Sequence, residues 1–221
     1  MFWSGIVIRK KDLIALIQST ETFTNPKLQL EQYTIDAACA VDIVFFAGIE
    51  FDDINGKLIL DIGSGTGRLS IASAYLKAHT ILSLDIDIDA LEILRKNITS
   101  LDLNNIIFPI CTDIRLFNLS NSILSDEVQI TTIMNPPFGV QERKADRAFL
   151  NMAFSISDVI YSIHLSNRYV RKFIKKYASK FDWNVDFVLP YTMILEKTYP
   201  FHDKSKKEIV VDVYRFKKNR V

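Results

Sequence analysis

A glycine-rich segment at residues 63–67 has the residue types of a nucleotide-binding turn. Its sequence is Gly-Ser-Gly-Thr-Gly, and it directly follows the apolar run 58–62. Glycines after a strand permit a tight turn and let backbone N–H groups approach a ligand closely. The spacing differs from the dinucleotide fingerprint G-x-G-x-x-G, and no Lys-Ser or Lys-Thr pair follows to make a P-loop. Because turns also need glycine for purely structural reasons, this segment alone is a weak indication of a ligand.

Carboxylates at the ends of the next two apolar runs strengthen the case for a ligand. Asp85 lies 24 residues after Asp61, at a position where a carboxylate can accept both hydroxyls of a ribose and would repel a 2′-phosphate. Asp113 and Ile114 follow the third run, where a carboxylate and a backbone N–H could bind the edge of an adenine. Each acid taken singly could be a solvated residue at a strand end. Together they favour an adenosine-containing cofactor other than NADP.

The segment Asn135-Pro136-Pro137-Phe138 follows the fourth apolar run. Two consecutive prolines end a strand and stiffen the turn, so a rigid turn with a packed Phe is the purely structural interpretation. That interpretation does not explain the amide that precedes the prolines. Ligands of open α/β sheets bind beyond the carboxyl ends of the strands, so we expect this turn to face the glycine segment.

The residue types at 135–138 fit methylation of an exocyclic amine, whose lone pair is delocalised into an aromatic ring. The side-chain oxygen of Asn135 and the carbonyl of Pro136 could each accept one N–H and favour a tetrahedral nitrogen. Such catalysis relies on positioning and electrostatic stabilisation and needs no strong general base. Phe138 would stack on the target base, which must be single-stranded or extruded from its stack. We predict these catalytic residues: Asn135, Pro136, Pro137 and Phe138.

The alternation of apolar runs with amphipathic stretches predicts the elements that position these residues. Strands are predicted at 57–61, 80–85, 106–111, 129–134, 159–164, 184–189 and 208–216, and helices at 10–19, 36–47, 68–77, 89–100, 145–157 and 168–180. Strand–helix repetition at this spacing indicates an α/β fold with a doubly wound, mostly parallel sheet of about seven strands. We predict one compact domain, with an N-terminal helical extension (1–56) packed on a catalytic core (57–221).

The composition argues against several classes of protein. The 221 residues are 48% hydrophobic and 24% charged, which is ordinary for a globular domain and unlike a disordered, collagen or coiled-coil chain. No apolar run approaches the roughly 20 residues of a membrane span, and the first apolar stretch precedes the basic run 9–11, unlike a signal peptide. Cys39 and Cys111 are far apart in apolar surroundings, which indicates a reducing compartment and no zinc site. We expect a cytoplasmic protein without a metal or a membrane partner.

These motifs resemble those of the class I S-adenosylmethionine-dependent methyltransferases that methylate amino groups. The further motifs are Pro-Lys-Leu-Gln-Leu-Glu-Gln-Tyr at 26–33, Asp-Ile-Asp at 85–87, Asp-Ala-Leu-Glu at 89–92, Tyr-Ser-Ile-His at 161–164, Phe-His at 201–202 and Val-Asp-Val-Tyr-Arg-Phe at 211–216. They resemble one family, the predicted RNA methylases of archaea and the eukaryotic small-subunit rRNA adenine-N6 methyltransferases (methyltransferase-like protein five). The resemblance extends from about residue 10 to residue 216. It implies a Rossmann-like fold, S-adenosyl-L-methionine as cofactor, and N6 of an adenosine in small-subunit rRNA as target.

The resemblance also implies roles for individual residues, and residues 135–138 would hold the adenine. Cofactor contacts are expected from Gln32, Thr34, Asp61, Gly63, Gly65, Thr66, Asp85, Asp113 and Ile114. One departure concerns the contact made in the family by a Thr two residues after the Tyr of Glu-Gln-Tyr, a place that Ile35 occupies here. Either Thr34 takes over that contact after a local shift, or the contact is lost.

A basic C-terminal quarter suggests where RNA would bind. Residues 1–163 carry 13 Lys/Arg and 20 Asp/Glu, whereas residues 164–221 carry 14 and 6. Arg168, Lys172 and Lys176 fall at i, i+4 and i+8 and form one basic stripe on the predicted helix. A solvated face would also explain this stripe, but beside the methyltransferase motifs we favour contacts with RNA phosphates. His202, in a Lys-rich loop, could equally contact a phosphate or be a surface residue, whereas His164 is expected to be structural.

The residue types at 135–138 also fit other methyl acceptors. Asn-Pro-Pro-aromatic sites serve adenine N6, guanine N2, DNA bases and protein glutamine amides, and Phe138 favours RNA only through the family resemblance. An inactive cofactor-binding scaffold is the alternative from another class of function. That alternative predicts damage to the glycine or Asn-Pro-Pro-Phe motif, and both are intact.

The resemblance further implies a protein partner. Eukaryotic relatives pair the edge of the sheet with a small zinc-binding activator, and a strand order beginning 3-2-1 would place residues 105–111 at that edge. This run is apolar around Phe108 and contains no Lys to discourage strand addition. Pro109 removes one backbone donor, and a strand covered by the chain's own loops is an equal alternative. We expect an isolated monomer with an edge to which an activator strand could add.

Overall fold

The computed structural model describes residues 8–119, 128–141, 144–196 and 206–219. Within these ranges the chain forms a seven-stranded sheet with helices on both faces. The strands are β1 (Leu58–Ile62), β2 (Thr80–Asp85), β3 (Ile107–Cys111), β4 (Ile130–Met134), β5 (Val159–Leu165), β6 (Trp183–Glu196) and β7 (Lys206–Lys218). The helices are α1 (Lys10–Gln18), α2 (Ala37–Phe45), α3 (Arg68–Tyr75), α4 (Ile88–Ser100), α5 (Asp146–Ile156) and α6 (Arg168–Ala178). No helix in these ranges is long and apolar enough to cross a membrane.

The strand order β3-β2-β1-β4-β5-β7-β6 is that of a doubly wound sheet. Strands β1 to β5 run parallel, and β7 lies antiparallel between β5 and β6. The Rossmann-like α/β prediction is therefore confirmed. The order reverses between β1 and β4, which leaves a crevice beyond their carboxyl ends where ligands of such sheets bind. Both the glycine segment and Asn135 follow strands that flank this crevice.

The C-terminal hairpin is longer than the sequence pattern predicts. Strands β6 and β7 stay in register from Trp183 opposite Lys218 to Glu196 opposite Lys206, with a bulge between Val185 and Phe187. The predicted strand ends at residue 189 because Pro190 follows, although Tyr191, Met193 and Leu195 continue the alternating apolar pattern and pack on the core. The edge position of β6 also tolerates a proline, Pro190, that argues against a central strand.

Two apolar cores lie on opposite faces of the sheet. On one face, α1 to α4 pack on inward side chains such as Ile59 and Ile81. On the other face, α5 and α6 cover Leu60, Ile62 and Tyr214. The same strands supply apolar side chains to both cores. Successive side chains of a strand point to opposite faces, and both faces of these central strands are apolar.

A buried polar cluster joins the N-terminal extension to the sheet. Asp53 Oδ2 accepts hydrogen bonds from Tyr161 O–H (2.6 Å) and from Arg215 Nε–H (2.8 Å). The Arg215 guanidinium also lies 4.0 Å from the ring centroid of Phe51. A buried cation needs such partners, because desolvation without them is costly. The extension therefore packs on the core, while the boundary at residue 57 remains a prediction.

Candidate active site

The glycine segment forms a tight turn between β1 and α3. Gly63 and Gly65 adopt positive φ angles of 74° and 53°. A Cβ atom added at Gly63 would lie 2.9 Å from Phe149 Cε1, and one added at Gly65 would lie 2.9 Å from Phe23 Cζ. Side chains at these positions would therefore be both strained and crowded. The result is a wall of backbone that faces the crevice.

A cavity of about 310 Å³ lies beyond the carboxyl ends of β1, β2 and β4. It is lined by most of the predicted site residues: Gln32, Thr34, Gly63, Gly65, Thr66, Asp85, Asp113, Ile114, Asn135 and Pro137. Asp61, Pro136 and Phe138 do not line it. The two motifs, about 70 residues apart in the sequence, thus meet in one cavity.

Asp85 is held in place by backbone donors at the cavity wall. Gly65 N–H donates to Asp85 Oδ2 (2.8 Å), and Asp87 N–H donates to Asp85 Oδ1 (2.9 Å). Burial raises the pKa of this carboxyl, and the two N–H groups oppose that shift. Because a carboxylate has about four acceptor sites, these bonds leave capacity for the hydroxyls of a ribose.

Asp61 lies behind the glycine turn rather than in the cavity. Its Oδ2 accepts hydrogen bonds from Ser70 N–H (3.0 Å) and Ser70 Oγ–H (2.5 Å). Burial raises the pKa of Asp61 to about 7. These contacts join β1 to the first turn of α3. Asp61 therefore holds together the two elements that flank the glycine turn.

Asp113 reaches the cavity but already has a cationic partner. Arg115 Nε–H and Nη2–H donate to its carboxylate, the latter at 2.5 Å, and lower the pKa of Asp113 to about 2. An adenine amino group would have to share this carboxylate with Arg115. No sequence pattern points to Arg115, because an exposed Arg two residues from an Asp is common.

The loop before α2 forms another part of the cavity wall. Gln32 Nε2–H donates to Asp87 Oδ2 (2.6 Å), and Gln32 Oε1 accepts from Lys27 N–H (2.7 Å). Thr34 and Ile35 both line the cavity. Both alternatives, that Thr34 takes over the family's Thr contact or that the contact is lost, therefore stay predictions.

Asn135 presents a buried acceptor where β4 meets residues 135–138, the proline turn. Its Oδ1 is inaccessible to water and accepts no hydrogen bond from any residue within the described ranges. Buried acceptors in folded proteins nearly always have a donor, so each exception requires an explanation. An exocyclic amine in the cavity would supply that donor.

Phe138 packs beside the cavity. Its ring centroid lies 5.4 Å from that of Tyr33, which is a cavity residue, with a tilt of 35° between the planes. Phe138 is half-buried and packs against the core. Stacking of a target base on Phe138 stays a prediction.

Glu31 holds the proline turn, and no role was predicted for it. Its Oε2 accepts from Phe138 N–H and its Oε1 from Gln141 N–H, both at 2.8 Å. These contacts join residues more than 100 positions apart, so local patterns in the sequence contain no trace of them.

Helix α6 has the predicted basic stripe. Arg168, Lys172 and Lys176 are exposed, while Ile174 and Ala178 are buried against the sheet. Arg171 instead pairs with the buried Asp212, at 2.6 Å, which the sequence did not reveal. His202 lies outside the described residues.

His164 is structural, as expected. It is buried, its Nε2 lies 2.8 Å from Ser162 Oγ, and burial lowers its pKa to about 3. The imidazole is therefore neutral at physiological pH.

Strand β3 forms one edge of the sheet, as the resemblance implied. Ile106 C=O accepts from Ile81 N–H, and Thr112 N–H donates to Asp85 C=O. Because backbone groups alternate in direction along a strand, Pro109 turns its missing donor to the open edge. Phe108 is 43% exposed on this strand.

Comparison with known proteins shows the family. A Danio rerio protein named rRNA N(6)-adenosine-methyltransferase METTL5 is 35% identical over 211 residues, which are 95% of this chain and 99% of that protein. This chain belongs to the METTL5 family. An uncharacterised Methanocaldococcus jannaschii protein is 36% identical over 216 residues, covering 96% of this chain and 95% of its own length.

Structural and family comparisons agree with this membership. The crystal structure of a proposed RNA methyltransferase from Pyrococcus horikoshii superposes with a TM-score of 0.85 at 36% identity, covering 96% of this chain and 99% of that one. A model of the TRM5/TYW2 methyltransferase domain matches residues 47–142. The METTL5-family chain is thus an S-adenosylmethionine-dependent RNA methyltransferase, and the predictions of enzyme class and cofactor are confirmed.

The cavity of this METTL5-family chain fits S-adenosylmethionine. Gly63 and Gly65 leave room that a Cβ would fill, and Asp85 offers carboxylate oxygens next to them. Asp113 and Ile114 also line the cavity. Binding of the ribose by Asp85 and of the adenine by residues 113–114 stays a prediction, with which the chemistry of these donors and acceptors agrees.

Proposed function

We propose that this enzyme methylates N6 of an adenosine in RNA, with small-subunit rRNA as substrate. The observation that carries the proposal is the buried, unpartnered Oδ1 of Asn135 at the wall of the cofactor cavity. The name of the zebrafish relative supports adenosine N6 in rRNA as the target.

Asn135 and Pro136 would orient the target amine. Bound S-adenosylmethionine supplies an electrophilic methyl group on a sulfonium. Asn135 Oδ1 accepts one N–H of the amine and the Pro136 carbonyl accepts the other, so the nitrogen lone pair points at the methyl group. Positioning of this kind lowers the barrier to methyl transfer, and the target amine need not lose a proton beforehand.

The carboxylates of the cavity are unsuited to act as a strong base. Arg115 holds the pKa of Asp113 at about 2, Asp85 is proposed to bind the ribose, and both oxygens of Glu31 accept backbone N–H groups. The proton of the methylated nitrogen therefore leaves to water. This agrees with a mechanism in which nitrogen attack precedes proton loss.

RNA would approach the end of the sheet at which Asn135 lies, beyond the carboxyl ends of the strands. Helix α6 begins three residues after β5, the strand next to β4, so its basic stripe starts at the same end of the sheet as the proline turn. Tyr169, in the first turn of α6, is 86% exposed. We propose that Arg168, Lys172 and Lys176 contact phosphates, and that His202 does so from its loop.

Labelled S-adenosylmethionine tests this proposal. The purified enzyme is incubated with tRNA, small-subunit rRNA and large-subunit rRNA from a strain lacking it, and the labelled nucleosides are identified. We expect N6-methyladenosine in small-subunit rRNA, with no label when Asn135→Ala replaces the wild type. Labelled N2-methylguanosine would overturn the adenine assignment, and label in another RNA or in protein would overturn the substrate.

We also propose that β3 accepts a strand from a small zinc-binding activator, and that the enzyme is otherwise monomeric. The edge position of β3 and the exposure of Phe108 support this interaction. Pro109 weakens the outer hydrogen-bonding row by one donor, so apolar contact with Phe108 would contribute much of the affinity. The free thiols Cys39 and Cys111 support a cytoplasmic location, which cell fractionation would test.

Phe108→Lys should abolish binding of such an activator without disturbing the fold. The added charge would be desolvated at the interface, whereas in the free protein it stays in water. Pull-down with the cognate activator, together with thermal unfolding of both proteins, measures this effect. Tyr169→Lys, at a more exposed aromatic residue on α6, is the control. Undiminished binding of Phe108→Lys would place the interface elsewhere.

A further inference from the structure

Glu31 makes the only described side-chain hydrogen bonds to the backbone N–H groups of the proline turn. Each carboxylate oxygen accepts one N–H, from Phe138 and from Gln141, at 2.8 Å. A charged acceptor strengthens such bonds to roughly twice those of neutral pairs. The turn that carries Asn135 is therefore fixed by a side chain from the N-terminal extension.

The backbone at Glu31 is shaped for this contact. The residue ends a short 3₁₀ helix, Leu28–Leu30, with a left-handed φ of 51°. A non-glycine residue seldom adopts this conformation without support from its surroundings. Here the side chain of Glu31 reaches the turn and accepts two hydrogen bonds. A continued helix would not direct the side chain toward the turn.

The same segment is anchored at the cofactor side of the cavity. Lys27 Nζ donates to Asp87 Oδ1 (2.5 Å) and Gln32 Nε2–H to Asp87 Oδ2 (2.6 Å), while Asp87 N–H donates to Asp85. Residues 27–33 thus connect the acid assigned to the ribose with the turn assigned to the target amine. The spacing between the two halves of the site depends on this connection.

We infer that Glu31 is a positioning residue, which holds the Asn135–Phe138 turn at the distance from the cofactor that methyl transfer requires. The inference rests on the proposed function, since it gives Asn135 its role. A carboxylate suits two N–H donors, because an amide at this place would offer one acceptor and turn its own donor toward an N–H. Misplacement of reacting groups by about 1 Å can cost roughly 10²-fold in rate.

Hydrogen exchange tests the contact without any turnover. Glu31→Ala should increase deuterium uptake in peptides covering 135–141, with Glu31→Gln intermediate and peptides of β1 and α3 unchanged. Glu92→Gln, an exposed glutamate on α4, is the matched control. Unchanged uptake at 135–141 in Glu31→Ala would overturn the inference, whatever nucleoside the enzyme methylates.

Kinetics then separate positioning from general damage. Glu31→Ala should lower kcat by about 10- to 100-fold, Glu31→Gln less, with wild-type affinity for S-adenosylmethionine and a melting temperature close to that of Glu92→Gln. Loss of cofactor affinity in proportion to the loss of kcat would show a purely structural role and overturn the inference. Failure of the proposed function would instead appear as wild-type enzyme that does not form N6-methyladenosine while the exchange effect of Glu31→Ala persists.

Discussion

The cofactor half and the acceptor half of the cavity are built in different ways. In the cofactor half, Gly65 N–H donates to Asp85 and Ser70 N–H donates to Asp61, so both hydrogen bonds span 20 positions or fewer. In the acceptor half, Asn135 keeps an unpartnered acceptor within the described ranges, and Glu31 holds its turn from 107 positions away. The hydrogen bonds around the glycine turn are thus short-range in sequence, whereas the turn that carries Asn135 depends on a contact from the N-terminal extension. Damage to one half should therefore leave the function of the other largely intact.

Asn135→Ala should give the largest effect on turnover. Removal of one preorganised acceptor should lower kcat by about 10²-fold or more, while affinity for S-adenosylmethionine changes little because Asn135 acts on the target amine. Calorimetry and single-turnover methylation measure the two quantities separately. Wild-type turnover in this variant would remove Asn135 from the mechanism.

Asp85→Ala should produce the opposite pattern. Loss of the charged acceptor for the ribose hydroxyls should weaken S-adenosylmethionine binding by roughly 1.5–3 kcal/mol, about 10- to 150-fold in Kd. Asp89→Ala is the matched control, because that carboxylate is 70% exposed and pairs with Lys27 on the outside of the site. If calorimetry gives equal affinities for Asp85→Ala and the wild type, the ribose assignment is wrong.

Alanine at both Lys172 and Lys176 should have the smallest effect. Binding of RNA should weaken at moderate salt, and the slope of log K against log salt should flatten by a little under one unit for each lost phosphate contact. Arg95→Ala with Lys96→Ala on α4 controls for total charge. An unchanged slope would mean that the stripe is a solvated face.

The contrast between local and long-range contacts also explains which features of the fold and site the sequence predicts. Strand–helix alternation and the two motifs predict the sheet, the cavity and ten of the residues in its wall, because these features follow from local patterns. The full length of the β6–β7 hairpin is missed because Pro190 argues against a continued strand, whereas the edge position of β6 tolerates it. The roles of Glu31 and Arg171 are missed because their partners, Phe138 and Asp212, are distant in the sequence.

Methylation rates measured over a range of S-adenosylmethionine concentrations test the independence of the two halves most directly. Wild-type enzyme, Asp85→Ala and Asn135→Ala are compared in single turnovers with saturating small-subunit rRNA. We predict that Asp85→Ala approaches the wild-type rate as the cofactor concentration rises, while Asn135→Ala stays slow at every concentration. Recovery of Asn135→Ala at high cofactor concentration would contradict the account, because it would place Asn135 in cofactor binding rather than in activation of the target amine.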